Sequence, residues 1–444
     1  MKLATFLGGV HPYDGKELTM DKEIVKYLPK GQLVFPVQQG IGAPAKPVVK
    51  KGDEVLMGQI IAEAGGFVSY NIISSVSGKV VGIEPRLTPT GSIVDSIIIE
   101  NDGNYTPVEG FGEKRDYTQM SKQEILDAIK AAGIVGLGGA GFPAHVKLSP
   151  KEPKDIDYVI VNGAECEPYL TSDYRLMVEQ PERLVEGLKI ILSLFDNAKG
   201  VIGIESNKPL AIEKLTELTK DEPKITVCPL KAKYPQGGER NLVYAITGRR
   251  LNSKLLPADL GCVVDNVDTV ISIQKAVSET TPLIRRIFTV TGDAVKEPKN
   301  LEVKIGTSFE EILEEAGGLN PDAEKMIAGG PMMGFALTTC QVPVVKTSSA
   351  LLCLKEDDVS RNRTTGCIRC GKCVEACPSH LVPERMMAAA ERHDLEYFVA
   401  LNGMECYECG SCAYICPARR PLTQGFKMMR AAVMAERRKA QQKK

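Results

Sequence analysis

Eight of the 13 cysteines lie between Cys367 and Cys416, in two runs of identical spacing. The first is Cys367-x2-Cys370-x2-Cys373-x3-Cys377, closed by Pro378. The second is Cys406-x2-Cys409-x2-Cys412-x3-Cys416, closed by Pro417. This is the spacing of bacterial [4Fe–4S] ligation, in which the fourth cysteine of each run serves the other cluster. Two intervening residues let three thiolates converge on three corners of a cube from one loop, and the fourth must come from elsewhere. The pattern assigns Cys367, Cys370, Cys373 and Cys416 to one cluster. Cys406, Cys409, Cys412 and Cys377 go to the other. Zinc also accepts CxxC pairs, but it takes four ligands per site and has no need of a third cysteine in step or a trailing Cys-Pro. The interval between the runs reads as helix over 383–392, which favours an α-helical ferredoxin-like module. The other cysteines (Cys166, Cys228, Cys262, Cys340, Cys353) are scattered. A disulfide framework would belong to an exported chain. Cys340 and Cys353 have no partner spacing and read as core thiols.

At 444 residues the chain has room for about three domains or more. It carries 55 basic and 56 acidic residues, a net charge of -1. That leaves no basic field to hold nucleic acid. Apolar runs fall well short of the roughly 18 residues of a membrane span. The first ten residues are too short and too weakly apolar for a secretory signal. A cytoplasmic location is expected, with any membrane contact made through a partner or a surface segment.

Residues 1–30 read as an irregular lead-in containing Gly8-Gly9-Val10-His11-Pro12. From 31 to 118, short Val/Ile runs alternate with Gly and Pro, the signature of a small β sandwich or barrel. Ser121 and Glu124 then form a capping-box pattern that opens a helix. Alternating strand and helix patterns follow to 284, an α/β domain with a largely parallel sheet. Strand, strand, helix between 285 and 355 suggests a small unit of β-grasp type. The cysteine-rich module occupies 356–425. A basic tail, 426–444, carries Phe426, Met429 and Val433 at helical spacing, opposed by Lys and Arg. That stripe reads either as a solvated helix end or as a surface for an anionic partner or membrane.

Three loops of the α/β domain carry chemistry. Gly136-Leu-Gly138-Gly139-Ala140-Gly141-Phe142-Pro143 matches GxGxxG but follows a helix and runs into Phe-Pro, unlike a Rossmann turn. Glycines can still bring backbone N–H groups close to a phosphate or ring. Asn162-Gly-Ala-Glu165-Cys-Glu167-Pro168 and Tyr234-Pro-Gln-Gly237-Gly238-Glu239 each follow a strand. They therefore sit at the carboxyl ends of strands, where open α/β sheets place ligands.

These loops, in this order and followed by Asp265-Asn266-Val-Asp-Thr269, resemble the NADH- and FMN-binding subunit of respiratory complex I. With β domains at both ends, Gly-Gly-Val-His-Pro near the start and two ferredoxin-type runs, the whole chain more closely resembles the C subunits of Rnf ion-translocating ferredoxin:NAD oxidoreductases. The resemblance implies that Gly136, Gly138, Gly139 and Gly141 line FMN, with Lys147 near its phosphate. Asn162, Glu165, Gly237, Asp265, Asn266 and Thr269 would hold the ring and ribityl chain. Phe142, Glu167, Tyr234 and Glu239 would shape the nicotinamide side. The complex I pattern has paired acids where this chain has Gly238-Glu239, and one cluster motif where this chain has two. The β domain resembles biotinyl/lipoyl carriers, but its tip, residues 64–70, lacks the carrier lysine. The 285–355 unit resembles the soluble-ligand-binding β-grasp domain, and no chemistry is visible in it.

The resemblance implies a two-to-one electron switch. NADH and FMN exchange hydride, and two [4Fe–4S] clusters relay single electrons to a partner, with the cofactors carrying the chemistry. It further implies a peripheral place on the cytoplasmic face of the membrane, beside membrane subunits and a B-type iron–sulfur subunit. A cobalamin reductase of bacterial microcompartments would share these motifs. A non-catalytic relay or assembly subunit is the other alternative.

Overall fold

The computed structural model describes residues 3–442, so Lys443 and Lys444 of the basic tail lie outside the described residues. After the lead-in come two small antiparallel sheets. Gln32–Pro36, Ile93–Asn101, Gly78–Leu87 and Glu54–Val55 form one, and Lys46–Pro47, Ile60–Glu63 and Ile72–Ile73 the other. Leu33 and Phe35 alternate with more exposed neighbours and bury against Ile97 and Ile99, the period-2 pattern of a sheet with one face inside.

The central sheet is parallel. Its order is Ile225–Leu230, Lys199–Glu205, Tyr158–Gly163, Cys262–Asn266. Helices Pro181–Ser193, Pro209–Leu218, Glu239–Thr247 and Val267–Ser278 connect or cover it. The capping box at Ser121 and Glu124 is present and starts helix Lys122–Ala131. From Tyr158–Gly163 the chain winds outward twice, then returns to place Cys262–Asn266 on the other side. That reversal leaves a crevice at the strand ends, where Asn162 and Asn266 are register partners. Strand Cys262–Asn266 and helix Ser172–Glu179 were not anticipated. Five residues ending in Asp-Asn are too few to show alternation, and an eight-residue helix beginning Ser-Asp has too few apolar positions to show a period.

The third sheet has six strands, in the order Ile24–Lys26, Lys299–Lys304, Arg285–Thr291, Ala350–Leu354, Lys325–Ala328, Phe335–Leu337. Helix Phe309–Glu315 covers it, with Phe309 edge-on to Phe288. The outermost strand belongs to the lead-in, running parallel to 300–302. Three residues are too short for alternation to reveal such a partner.

From Asp358 onward every described element is helical. Helix Leu422–Gln442 closes this domain. Phe426, Met429 and Val433 are buried against Met386, Met387 and Phe398. The stripe is thus core, not a membrane-facing surface. Among the described residues no helix is long and apolar enough to cross a membrane.

Candidate functional site

The crevice opens into a cleft of about 2410 Å³. The sequence places sixteen residues around it, and all but Asp265 and Thr269 line its wall. The loop 136–142 lies along one side. Gly136 N donates to Phe142 O (2.9 Å), closing the turn. Gly138 packs tightly enough that a Cβ would stand 2.9 Å from the Asn266 side chain, while Gly139 faces open space. Gly141 has φ +73° and would press a Cβ to 2.9 Å from Thr347 Cγ2. Glycine is required here by both backbone and space. From behind, the buried Thr269 hydroxyl accepts from Leu137 N (2.9 Å) and pins the loop. Thr269 therefore positions the wall without reaching the cleft.

Asp265 is likewise buried, and its carboxylate meets Lys147 Nζ at 3.2 Å. Lys147 also donates to Val264 O (2.7 Å). Burial works against the Lys147 ammonium, but Asp265 and Glu239 outweigh it and hold its pKa above the usual lysine value. Burial raises the Asp265 carboxyl. The result is an ammonium held charged at the cleft wall against a buried carboxylate, with a quarter of its side chain exposed, a donor fit for a phosphate.

Asn162 Nδ2 donates to Gly237 O (2.8 Å), tying two of the loops together. Lys208 Nζ holds Ala164 O (2.6 Å). Glu165, at φ 44°, turns its carboxylate to accept from Asp173 N (2.7 Å) and Tyr174 N (3.2 Å) at the start of helix Ser172–Glu179. Glu167 accepts from Met332 N (2.6 Å) and Met333 N (3.1 Å), and burial raises its pKa. Glu239 begins helix Glu239–Thr247, and desolvation by the surrounding walls raises its carboxyl too.

Sequence reasoning missed part of the wall. Gly329, Gly330, Met333 and Phe335 come from the third sheet, so that unit does contribute to the site. The Gly329-Gly330-Pro331 turn was the available signal. Gln39, Gly40, Ile41 and Phe67 come from the N-terminal β domain, and Asp173 from the unforeseen helix.

The cysteine runs carry the same backbone twice. Arg369 and Glu408 have positive φ, as do Gly371 and Gly410, and His380 and Arg419. Arg369 N approaches Cys367 Sγ and Glu408 N approaches Cys406 Sγ, both at 3.4 Å. Each loop thus turns one amide toward its own sulfur, the kind of contact that tunes a thiolate-bound cluster. Cys377, Cys406, Cys409 and Cys412 line one small cavity, the set expected to share a cluster. Cys373 and Cys416 are close enough for the Cys416 sulfur to raise the Cys373 thiol, after burial. Among the described residues no three His, Cys, Asp or Glu side chains reach single-ion spacing.

The two halves share one cleft. Tyr407, Glu408 and Cys409 line it together with the glycine loop, and the buried Tyr234 hydroxyl donates to Cys409 O (2.6 Å). A glycine cradle at a sheet's switch point, open to cluster-binding loops, defines a flavin and iron–sulfur electron-transfer protein.

Comparison with known families narrows this class. Residues 129–275 match the Nuo51 FMN-binding domain and 4–104 the RnfC barrel sandwich hybrid domain. Residues 287–336 match the SLBB domain and 359–417 the 4Fe-4S dicluster domain. The chain is 46% identical over 390 residues to the C subunit of the proton-translocating ferredoxin:NAD(+) oxidoreductase complex of Clostridium ljungdahlii, covering 88% of this chain and 85% of that one. It is 42% identical to the Na(+)-translocating counterpart of Acetobacterium woodii, covering 99% of each. The corresponding C subunit of the ion-translocating oxidoreductase complex of Rhodobacter capsulatus is 40% identical over 94% of this chain and 81% of its own length. The chain belongs to this family of C subunits of ion-translocating ferredoxin:NAD(+) oxidoreductase complexes. Its fold is shared with an NAD+-reducing [NiFe]-hydrogenase chain at TM-score 0.51 and 19% identity, covering 74% of this chain and 68% of that one.

Proposed function

We propose that this chain is the NADH-facing, FMN-dependent electron-transfer subunit of an ion-translocating ferredoxin:NAD oxidoreductase. The observation that carries this is the single cleft lined by both the glycine loop and Cys409. When bound, FMN exchanges an electron pair with nicotinamide and the clusters carry single electrons. The chain's own residues position and insulate. Gly136, Gly138, Gly139 and Gly141 allow close backbone approach, and Lys147 meets the phosphate. Asn162, Glu165, Gly237 and Asn266 hold the flavin, with Asp265 and Thr269 bracing them from behind. Phe142, Glu167, Tyr234, Gly238 and Glu239 border the nicotinamide side. No side chain acts as a nucleophile. Cys367, Cys370, Cys373 and Cys416 hold one cluster, and Cys406, Cys409, Cys412 and Cys377 the other.

The first domain is read as a lipoyl-type barrel without its carrier lysine, and the third as a β-grasp unit. Membership of the family supports a place beside other subunits of the complex, including an iron–sulfur B-type subunit and membrane subunits. The chain would sit peripherally on the cytoplasmic face. An anaerobic NADH titration of the full chain, reconstituted with FMN and iron, tests the reading. Bleaching of both flavin and iron–sulfur absorption is expected. Bleaching of neither, with cofactors bound, would overturn it.

A further inference from the structure

The two cysteine runs share a backbone but not an environment. Residues 363–372, which carry Cys367 and Cys370, are all exposed. Of residues 403–413, which carry Cys406, Cys409 and Cys412, none is exposed. Cys377 and Cys409 are buried, and Cys409 lines the cleft. The second set of thiolates is therefore inner, against the cleft, and the first is outer, toward solvent.

The charges differ as well. Because the runs share their spacing, their positions correspond one to one. Arg369 stands where the second run has Glu408. Both have positive φ (55° and 62°), and the amide of each lies 3.4 Å from the first sulfur of its run. Lys372 stands where the second run has Ser411, each following a glycine of positive φ. Arg369 and Lys372 are exposed cations. Glu408 and Arg430 pair at 2.8 Å and cancel, and Ser411 is buried and uncharged.

Reducing a [4Fe–4S] cluster adds one electron, and with it one negative charge. Solvent exposure and net charge around the cluster therefore set its potential, because a buried charge lacks the solvation that water gives. Both differences favour the electron on the outer cluster. The amide contacts at 3.4 Å are equal in the two runs and cancel. One contact acts the other way: the Ser411 hydroxyl lies 3.4 Å from Cys409 Sγ and can donate to it once that sulfur is ligated. One hydrogen bond from a neutral donor does not offset two cations and the solvent together.

We infer that the outer cluster, on Cys367, Cys370, Cys373 and Cys416, has the higher reduction potential, and that Arg369 and Lys372 help to set it. This rests on the cluster assignment above. An electron leaving the cleft then crosses the inner cluster and settles on the outer one. An electron entering from a partner must climb to the inner cluster before it reaches the cleft.

The test uses the full chain reconstituted with FMN and iron, poised with redox mediators and followed by electron paramagnetic resonance. Two one-electron iron–sulfur steps are expected, apart by a factor of ten or more in equilibrium constant, about 59 mV. A soluble dysprosium chelate, added where only the first cluster is reduced, should speed the relaxation of its signal, because that centre is the exposed one. Arg369→Glu with Lys372→Ser gives the first run the residues of the second, and Glu408 shows that glutamate is accommodated on this backbone. The variant should move the upper step to lower potential and leave the lower step in place. A first-reduced signal shielded from dysprosium overturns the inference, as do two steps of equal potential. A variant that shifts both steps alike, or neither, overturns it too. Iron for a single cluster per chain instead overturns the cluster assignment, and the inference with it.

Discussion

Glu165 takes φ 44°, a costly conformation for a residue with a side chain. In return its carboxylate accepts from two amides at the start of helix Ser172–Glu179, where the helix dipole favours negative charge. This crowds Asp173, the next carboxylate in the wall. Its pKa is pushed up to about 8, first by burial and then by Glu165 and Asp268. The Asn266 amide, donating to Asp173 Oδ2 at 2.6 Å, and Arg286 oppose the shift. The folded protein therefore keeps a proton that the unfolded chain loses near pH 4. Between those values the folded state binds more protons, so this group's contribution to stability falls as pH rises. Asp173→Asn keeps an acceptor for Asn266 and replaces repulsion from Glu165 with a donor. In FMN-free protein it should add about 1–3 kcal/mol at pH 8 and little at pH 4. Melting curves at the two pH values check this, and parallel shifts would count against it. The sequence made Glu165 legible as a residue at a strand's carboxyl end. Its backbone task, and that of Thr269, depend on partners 8 and 132 positions away, which no local pattern reveals.

The last helix shows the same division at the scale of an element. Its apolar stripe was legible, because Phe426, Met429 and Val433 recur at helical spacing. Periodicity tells that a face is buried but not against what. Here it meets Met386, Met387 and Phe398, with Phe398 and Phe426 ring centroids 6.3 Å apart. The basic residues have particular partners as well. Arg430 pairs with Glu408 (2.8 Å) and donates to Met404 O (2.6 Å), which braces the second cysteine loop. Phe426 also lines the cavity shared by Cys377, Cys406, Cys409 and Cys412. Phe426→Ala should cost the domain about 3–5 kcal/mol and release iron from that cavity first. FMN affinity, set by the central domain, should hold. Iron-to-protein ratio and flavin binding measured on one preparation separate the two effects. Full iron retention would show that the helix does not support the cavity.

At the scale of the whole molecule, the order of the domains was readable because each has a local signature of period, loop or cysteine spacing. Their docking was not, since it depends on single contacts between distant residues. The lead-in is the main example. Residues 4–10 bridge the central domain and the cysteine domain: Val10 N and O pair with Tyr234, Gly9 N donates to Ala376 O (2.9 Å), and Lys233 Nζ holds the carbonyls of Phe6 and Gly8. Residues 24–26 then join the third sheet. The strap ties the chain at Ala376, next to Cys377, to the Tyr234 loop of the cleft. Gly9 has φ +82°, and a Cβ there would meet Tyr234 O at 2.6 Å and the Phe6 ring at 2.9 Å. Gly9→Val adds a β-branched side chain where neither backbone nor space admits one. The backbone strain alone costs about 1–3 kcal/mol, enough to lift the strap from Ala376. Electron transfer weakens steeply with separation, so the effect should fall between cofactors and not on hydride transfer. Rapid mixing with NADH should show flavin bleaching at the parent rate and a slower phase at the iron–sulfur absorption. If both phases slow together, the strap acts on the central domain itself. If neither changes, Tyr234 and the Arg240–Glu405 ion pair (3.0 Å) suffice to keep the cysteine domain docked.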